Sequence, residues 1–355
     1  MKKIAFTGGG TIGHVAVNLA LIPEAQKRDI ETIYIGSKNG IEKEMITDSA
    51  KDTKYIPISS GKLRRYLSFE NLKDVFKVLK GVLDARKVLK KEKPDLVFSK
   101  GGFVSVPVII AAKSLKIPSI VHESDVTPGL ANKISMKFAN KMYTTFEETL
   151  KYVPKEKSDY IGAIIREDLR DGSKEEGYQL TGFNDQLPVL LIMGGSLGSK
   201  ALNKAIRDNL DYLTKKYQII HLTGKGHVDQ NIKNANYVQY EFVSNELMHF
   251  YAITDTVISR AGANAIYEFA TLKLPMLLIP LGLDQSRGDQ IDNAKIFEKN
   301  GYAKVLQEKD VNQSNLISQL DKLENEREDI IDKMSHFKES YTKETLFNKI
   351  ESDIK

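Results

Sequence analysis

One local pattern occurs twice in this chain: a short apolar strand, a glycine-rich turn and the start of a helix. The first copy is "FTGGGTIGHV" at residues 6–15, and the second is "LIMGGSLGSKALN" at residues 191–203. Such a turn directs backbone N–H groups and the positive end of a helix dipole towards the space above it, which favours an anion. Two widely separated copies predict two α/β domains, each with an anion-binding turn.

Strand-like and helix-like segments alternate along most of the chain, which predicts parallel strands joined by crossover helices. The first set of predicted strands is 3–7, 32–35, 55–58, 95–99, 119–122 and 142–145. The second set is 189–193, 218–222, 237–242, 256–259 and 276–280. At 355 residues the chain is also long for one hydrophobic core. The predicted fold class is α/β, with two Rossmann-like, doubly wound parallel-sheet domains.

The domain boundary is predicted near residues 161–166, before the polar stretch 171–184. The residues from 337 onwards have the pattern of a terminal helix, which we expect to return to the first domain. The predicted domains are therefore 1–163 together with about 337–355, and 164–336.

Charge is distributed unevenly between the two halves. Residues 1–163 contain 28 Lys+Arg and 18 Asp+Glu, a net charge of +10, whereas the remainder contains 24 and 29, a net charge of −5. A basic first domain that faces an anionic partner is one interpretation, and independent drift on two solvated surfaces is the other.

Cysteine is absent, which excludes disulfides, Cys-ligated zinc and thiol nucleophiles and favours the cytosol. The longest apolar runs are too short to span a bilayer, and the N-terminus lacks the pattern of a secretory signal peptide.

The spacing of Gly8, Gly10 and Gly13 also fits the dinucleotide-binding pattern G-x-G-x-x-G. That pattern requires an acidic residue at the end of the second strand, where it binds a ribose hydroxyl. The predicted strand ends in "YIGSKNG" at 34–40, which contains no acid. An NAD enzyme is therefore disfavoured, while the Ser-Lys pair leaves NADP as an alternative.

His14 is predicted to lie in the first turn of the helix that follows the first glycine turn. The positive end of that helix disfavours a protonated imidazole, and a neutral imidazole can accept a proton. His14 is therefore either a general base or a histidine that only makes local hydrogen bonds.

Four segments follow predicted strands of the second domain, at residues 194–196, 242–243, 259–262 and 284–293. Because open α/β sheets bind ligands at the carboxyl ends of their strands, these segments predict a nucleotide site. Glu268, two helical turns after Gly262, is suited to bind vicinal hydroxyls. The alternative for 284–293 is an ordinary polar turn with a helix cap.

These motifs resemble those of GT-B glycosyltransferases of the MurG type. The chain contains "GGTIGH", "SKGGFVSVPVIIAA", "HESDVTPGLANK", "GGSLGSKALN", "SRAGANAIYE" and "DQSRGDQIDNA", in that order over nearly its whole length. The resemblance implies two Rossmann-like domains that face each other across a cleft. It also implies transfer of GlcNAc, with inversion, from UDP-GlcNAc to the C4 hydroxyl of the MurNAc in lipid I. Lipid I is MurNAc-pentapeptide-pyrophosphoryl-undecaprenol, and the product would be lipid II of peptidoglycan synthesis.

The sequence departs from the family pattern at several positions. Ile12 and Val17 replace a glycine and a proline of the first turn. Asp125 stands where the family motif "HEQN" has an asparagine proposed to contact the acceptor. The last departure bears most on the acceptor.

The resemblance also implies roles for individual residues. Ser196 and the amides of its turn, with Arg166, would hold the donor diphosphate. The backbone of Val243 would contact uracil, Glu268 would bind the ribose, and Asp289 and Gln290 would contact the sugar. The full predicted donor set is Thr11, Gly13, Arg166, Gly195, Ser196, Asn203, Val243, Arg260, Glu268, Asp289 and Gln290.

On the acceptor side, the predicted phosphate loops contain Gly9, Gly10, Gly101 and Gly102. His14 is the predicted general base, with Asp125 and Glu123 as the other candidates. No Asp-x-Asp pattern follows a strand, so we expect neither a metal nor another cofactor.

Between Gly61 and Lys93 there are eleven Lys or Arg residues and four acids, with apolar residues at helical spacing. The predicted membrane patch is Lys62, Arg64, Arg65, Leu72, Val75, Phe76 and Leu79. A basic amphipathic helix suits an anionic membrane surface, whereas the alternative is an apolar stripe that packs in the core. We expect peripheral binding to the anionic inner leaflet at the cytoplasmic face, with other cell-wall synthesis proteins as further partners and no nucleic acid.

Three other functions stay open at this point. They are a GT-B transferase for another lipid acceptor such as diacylglycerol, a UDP-GlcNAc 2-epimerase, and a nucleotide-sugar-binding module without turnover.

Overall fold

The computed structural model describes residues 1–61, 69–165, 167–195, 198–337 and 341–354, without the side chains of 69–75 and 167. The chain divides into two compact units. Unit 1 is Met1–Ile165 with Ser340–Lys355, and unit 2 is Arg166–Glu339. Within the described residues, no helix is both long and apolar enough to cross a membrane.

Unit 1 is built on a parallel sheet. Its strands are β1 (Lys3–Thr7), β2 (Glu31–Ser37), β3 (Lys54–Ile58), β4 (Leu96–Ser99), β5 (Ser119–Glu123), β6 (Lys141–Thr144) and β7 (Ser158–Tyr160). Its helices are α1 (Gly13–Lys27), α2 (Ile41–Ser49), α3 (Phe69–Glu92), α4 (Ser105–Ser114), α5 (Leu130–Ser135) and the C-terminal α14 (Lys343–Asp353). The strand order is β3-β2-β1-β4-β5-β6-β7, so the direction of winding reverses between β1 and β4.

Unit 2 repeats this architecture with a six-stranded parallel sheet. Its strands are β8 (Val189–Met193), β9 (Gln218–Leu222), β10 (Tyr237–Tyr240), β11 (Thr256–Ser259), β12 (Met276–Leu278) and β13 (Ala303–Val305). Its helices are α6 (Lys174–Thr181), α7 (Lys200–Asp208), α8 (Leu210–Leu213), α9 (Leu247–Ile253), α10 (Ala263–Thr271), α11 (Asp289–Lys299), α12 (Gln313–Asn325) and α13 (Arg327–Ser335). The order is β10-β9-β8-β11-β12-β13, with the reversal between β8 and β11.

Every strand predicted from the sequence is present, and the predicted class of two parallel-sheet domains is confirmed. The sequence analysis missed β7 and β13. Both are three-residue strands at a sheet edge, and their sequences, "SDY" and "AKV", contain no apolar run. An edge strand pairs on one side only, so it needs no such run.

The core of unit 1 lies on both faces of its sheet, because alternate residues of a strand point to opposite sides. Ile4 and Phe6 belong to the apolar cluster that includes residues of α1 and α14. Ala5 and Val97 belong to the opposite cluster, with residues of α3 and α4. The sheet is therefore covered on both faces, as is usual for parallel sheets.

Helix α14 packs in unit 1, as predicted, with Leu346, Phe347 and Ile350 buried in its core. It begins later than the predicted residue 337. Thr342 caps its first turn, where the hydroxyl accepts a hydrogen bond from the N–H of Thr345 at 3.1 Å.

Phe337 itself lies in unit 2, in an aromatic cluster with Tyr267, Phe297 and Tyr302. The ring centroids of Phe337 and Tyr267 are 5.2 Å apart in an edge-on arrangement. Such contacts add to the burial of the rings. The chain therefore leaves unit 2 only after Phe337.

Candidate active site

In unit 1, the turns after β1 and β4 touch each other through their backbones. The N–H of Gly9 donates to the carbonyl of Gly101 at 3.3 Å. A Cβ atom on Gly102 would lie 2.1 Å from the carbonyl oxygen of Gly9, and Gly102 has φ of +84°. Only glycine fits there, because any side chain would both clash and strain the backbone. The predicted phosphate loops of unit 1 thus form one continuous backbone surface at the reversal point of the sheet.

Glu42, in the first turn of α2, is a buried residue that is hydrogen-bonded to the first glycine turn. It is 1% exposed. Its carboxylate accepts hydrogen bonds from the N–H of Gly10 at 3.2 Å and the N–H of Ser37 at 3.0 Å. The sequence analysis missed this residue, because it looked for an acid directly at the end of the second strand. An acid in the first turn of the following helix is the signal that could have identified Glu42.

His14 lies in the first turn of α1, as predicted, and is half-buried. Its Nδ1 is 3.0 Å from the carbonyl oxygen of Gly9. Because a carbonyl oxygen only accepts, Nδ1 carries the hydrogen, and in the neutral ring Nε2 keeps its lone pair. The turn therefore selects the tautomer in which Nε2 can accept a proton. Of the residues predicted beside it, Thr11 and Gly13 are exposed.

Glu123 ends β5 and organises the loop that follows. It is 4% exposed. Its carboxylate accepts hydrogen bonds from the N–H of Asp125 at 3.1 Å, the N–H of Gly129 at 3.0 Å and the side-chain amide of Asn132 at 2.9 Å. Burial raises the pKa of Glu123, and the neighbouring Asp125 raises it further. Asp125 is the more exposed of these two candidate bases.

The corresponding turn of unit 2 follows β8, beside the reversal point. Gly195 and Gly198 have φ of +87° and +75°, and a Cβ atom on Gly198 would lie 2.2 Å from the carbonyl oxygen of Thr223. Ser199 caps α7, where its hydroxyl accepts from the N–H of Leu202 at 3.2 Å. The turn thus leads into a capped helix N-terminus, which favours an anion.

Two predicted donor residues, Ser196 and Arg166, lie outside the described residues. Their roles stay predictions from the resemblance.

Arg260 connects three parts of unit 2. It is 5% exposed and follows β11. Its guanidinium donates to the hydroxyl of Ser199 at 2.6 Å and to the carbonyl of Ile279 at 3.0 Å, and it forms an ion pair with Glu308. Glu308 also accepts from the side-chain amide of Gln285 at 2.8 Å. Arg260 thereby holds the cap of α7 and the end of β12, and Glu308 extends the network to the loop after β12.

Asn203, another residue predicted to bind the sugar donor, forms hydrogen bonds within unit 2 through both the nitrogen and the oxygen of its side chain. Its amide donates to the carbonyl of Thr223 at 2.9 Å, and its Oδ1 is 3.0 Å from Nε2 of His221. Burial, with Arg207 nearby, lowers the pKa of His221 to about 3, so His221 stays neutral near pH 7. These contacts anchor the first turn of α7 to β9.

The remaining predicted donor residues follow β10, β11 and β12. Val243 is buried, and Glu268 on α10 accepts from the hydroxyl of Tyr251 at 3.1 Å. Asp289 pairs with Arg287 at 3.3 Å. The side-chain oxygen of Gln290 accepts from the N–H of Leu281 at 3.1 Å, which ties the start of α11 to the end of the preceding apolar run. The segments that carry them all leave the carboxyl edge of one sheet.

Part of the predicted membrane patch is exposed on α3. The side chains of Phe76 and Leu79 are 64% and 57% exposed, and that of Leu83, one turn further, is 62% exposed. The opposite side of the helix packs through Gly81 and Ala85, which are buried. The described apolar residues of the patch therefore do not pack in the core. Lys62, Arg64 and Arg65 lie outside the described residues, as do the side chains of Leu72 and Val75.

Comparison with known proteins identifies the family. The glycosyltransferase family 28 N-terminal domain matches residues 4–144, and the family 28 C-terminal domain matches residues 189–347. The chain belongs to glycosyltransferase family 28. This assignment confirms the predicted enzyme class.

Two relatives from Staphylococcus aureus, strains MRSA252 and JH9, are each 67% identical over 353 residues, which is 99% of this chain and 99% of theirs. Both are named UDP-N-acetylglucosamine--N-acetylmuramyl-(pentapeptide) pyrophosphoryl-undecaprenol N-acetylglucosamine transferase. The family 28 chain described here thus aligns with them from end to end.

Solved structures agree on the fold. MurG from Acinetobacter baumannii matches 99% of this chain and 100% of its own, with a TM-score of 0.77 at 24% identity. The Streptomyces glycosyltransferase SsfS6, solved with thymidine diphosphate, matches 99% of this chain and 100% of its own, with a TM-score of 0.65 at 14% identity. The predicted GT-B fold is thereby confirmed.

The ion pair of Arg260 generates a test of unit 2. Glu308→Ala leaves a buried guanidinium without its counter-charge, which typically costs about 3–5 kcal/mol of folding free energy. We expect the urea midpoint of unit 2 to fall accordingly, measured by hydrogen exchange of the β8 and β11 amides during unfolding. Glu298→Ala, at an exposed position of α11, is the control, with an expected change within about 0.5 kcal/mol. Equal midpoints for the two variants would show that Arg260 does not depend on Glu308.

Proposed function

We propose that this chain transfers GlcNAc from UDP-GlcNAc to the C4 hydroxyl of the MurNAc in lipid I, with inversion, to give lipid II. The observation that carries the proposal is the 67% identity, over 99% of both chains, to transferases named for a pyrophosphoryl-undecaprenol acceptor. Identity at this level, over nearly the whole of both chains, supports the same donor and the same acceptor. UDP-GlcNAc is a substrate in this scheme, and we propose that no metal takes part.

We further propose that unit 2 binds the donor. The proposal is supported by the turn at Gly195 and Gly198, which leads into the N-terminus of α7 and suits the departing diphosphate. It is also supported by Glu268, a half-buried carboxylate on α10 that can accept from ribose hydroxyls. Without a metal, the charge on UDP is neutralised by such preorganised donors, each of which is worth about 3–4 kcal/mol of barrier.

Unit 1 is the proposed acceptor domain, with His14 as its general base. In a single displacement, the C4 oxygen forms the new bond to the anomeric carbon as the bond to the UDP oxygen breaks. The hydroxyl proton passes to Nε2 of His14, and UDP leaves with the electron pair of the broken bond. The hydrogen bond from Nδ1 to the Gly9 carbonyl supports this role, because it holds the ring in the tautomer that can accept.

Transfer of labelled GlcNAc from UDP-GlcNAc to a soluble lipid I analogue, in the presence of a chelator, tests the proposal. We expect one UDP released for each GlcNAc incorporated. UDP-GlcNAc binding without transfer would instead favour a nucleotide-sugar-binding module, and transfer only to diacylglycerol would identify another acceptor.

For His14, we expect His14→Ala to lower kcat at least about a hundredfold, with the KM for UDP-GlcNAc unchanged, since a general base contributes about 10²–10⁴. His14→Asn is the matched variant, because its amide can still donate to the Gly9 carbonyl but cannot take up a proton. Steady-state kinetics should find both variants equally impaired, and His336→Ala, at an exposed position of unit 2, unaffected.

Retained activity in His14→Asn would contradict the base assignment and leave His14 a structural role in the turn. A large rise in the acceptor KM with little change in kcat would make it an acceptor-binding residue.

We propose that the exposed face of α3 carries the enzyme to the anionic cytoplasmic face of the cell membrane. Phe76, Leu79 and Leu83 form its apolar row, and Lys77 and Lys80 lie on the same exposed stretch. Insertion of the apolar row is favourable, and each lysine beside anionic lipid adds about 1 kcal/mol. This peripheral attachment would bring unit 1 to a lipid-linked acceptor and to other cell-wall synthesis proteins.

The combined variant Phe76→Gln, Leu79→Gln and Leu83→Gln should therefore lose at least about tenfold in vesicle affinity, because it removes apolar burial, yet keep transfer to a soluble acceptor. Flotation with vesicles of graded anionic lipid measures the affinity, and binding of the unmodified chain should fall as salt rises. Leu180→Gln, an exposed leucine of unit 2, is the control. Vesicle affinity that changes neither with lipid charge nor with the substitutions would contradict the membrane proposal.

A further inference from the structure

Lys100 is a buried lysine directly after β4, beside the two glycine turns of unit 1. It is 1% exposed and ranks among the largest fully buried side chains of the described residues. Its Nζ donates to the hydroxyl of Ser124 at 2.8 Å. An ammonium taken out of water is costly unless its charge is paired as well as hydrogen-bonded. A neutral hydroxyl does not supply that pairing.

The opposite charges come from the two carboxylates on either side of Ser124. Burial lowers the pKa of Lys100, while Glu123 and Asp125 act in the other direction and favour its charged form. His122, which precedes Glu123 in the sequence, is buried. Burial and the nearby Lys100 lower the pKa of His122, so it adds no positive charge. Among these described side chains, Lys100 is the cation, and Glu123 and Asp125 are the anions when all three ionise.

We infer that Lys100 is a positioning residue for the acceptor step: its ammonium balances the charge of Asp125 and, through Ser124, holds the loop at 124–129 in place. The opposite unit charges of Lys100 and Asp125 cancel, so the net charge of the cluster equals the charge of Glu123. The inference rests on the proposed function, because it assigns this loop to the acceptor side.

Charge balance predicts how the two residues depend on each other. Burial and Asp125 raise the pKa of Glu123, whereas Lys100 lowers it, so removal of Lys100 makes Glu123 take up a proton more readily. Without the charge of Asp125, the buried ammonium loses one of the two carboxylates that favour its charged form. When both charges are removed, the net charge of the cluster is restored. The two substitutions should therefore compensate each other.

The test is a double-mutant cycle. Lys100→Met keeps the length of the side chain without its charge, Asp125→Asn keeps the shape of the carboxylate, and the third variant combines both. Lys113→Met, at an exposed position of α4, is the control. We expect each single substitution to lower kcat/KM for the soluble lipid I analogue at least about tenfold, and the double variant to exceed Lys100→Met by at least about tenfold. The KM for UDP-GlcNAc should not change.

Lys100→Gln separates charge from hydrogen bonding, because its amide can still donate to Ser124. It should stay impaired at least about tenfold, because its amide carries no charge, and Asp125→Asn should rescue it at least as well as it rescues Lys100→Met. Thermal unfolding midpoints, taken for all variants, should show the same compensation, which provides a readout independent of turnover.

Full activity in Lys100→Met or Lys100→Gln would overturn the inference, as would a double variant no better than Lys100→Met, since loss of charge balance would then not explain the effect of removing Lys100. The unsubstituted chain, measured in the same assay, is the reference for the activity of every variant. If that chain transfers no GlcNAc to the analogue, the proposed function fails, and the acceptor role of Lys100 fails with it.

Discussion

The site in unit 1 depends on one backbone contact, the approach of Gly9 to Gly101 and Gly102. That contact joins the turns after β1 and β4, where the winding of the sheet reverses. It also fixes the carbonyl of Gly9, to which Nδ1 of His14 is hydrogen-bonded. Lys100 immediately precedes the second turn, so its side chain starts from a fixed position. This contact thus helps to fix the position of His14, one of the candidate bases. It also fixes the backbone from which Lys100 reaches the other two candidates, Glu123 and Asp125.

Unit 2 repeats the architecture, and a network of buried side chains holds its glycine turn. The guanidinium of Arg260 links the capped start of α7 to the end of β12, and it also forms an ion pair with Glu308. In unit 1, Glu42 has the comparable task of holding the turn through the N–H of Gly10. Both devices place a buried charge next to a turn that must keep its N–H groups in position. The cost of burying that charge is offset only while its partners are in place.

Much of this could be predicted from the sequence, because strand periodicity, glycine turns and helix starts are local features. The position of His14 in the first turn of α1 follows from its place after Gly13. Glu42 has a local signal, its place in the first turn of α2, but its partner Gly10 lies more than twenty positions away. Lys100 could not be identified from local features, since its partner Ser124 is also more than twenty positions away and no pattern around Lys100 indicates it. Periodicity also could not decide whether Phe76 packs in the core, because α3 has apolar residues on more than one side.

The central claim is that a hydroxyl displaces UDP directly, with unit 1 supplying the base. The configuration of the disaccharide formed from UDP-GlcNAc and a soluble lipid I analogue tests this claim most directly, because UDP-GlcNAc is α-linked. Nuclear magnetic resonance of the purified product should show a β linkage to the C4 oxygen of MurNAc. An α linkage would require a second displacement or another mechanism, and a linkage to a different hydroxyl would place the acceptor differently. Either result would contradict the account.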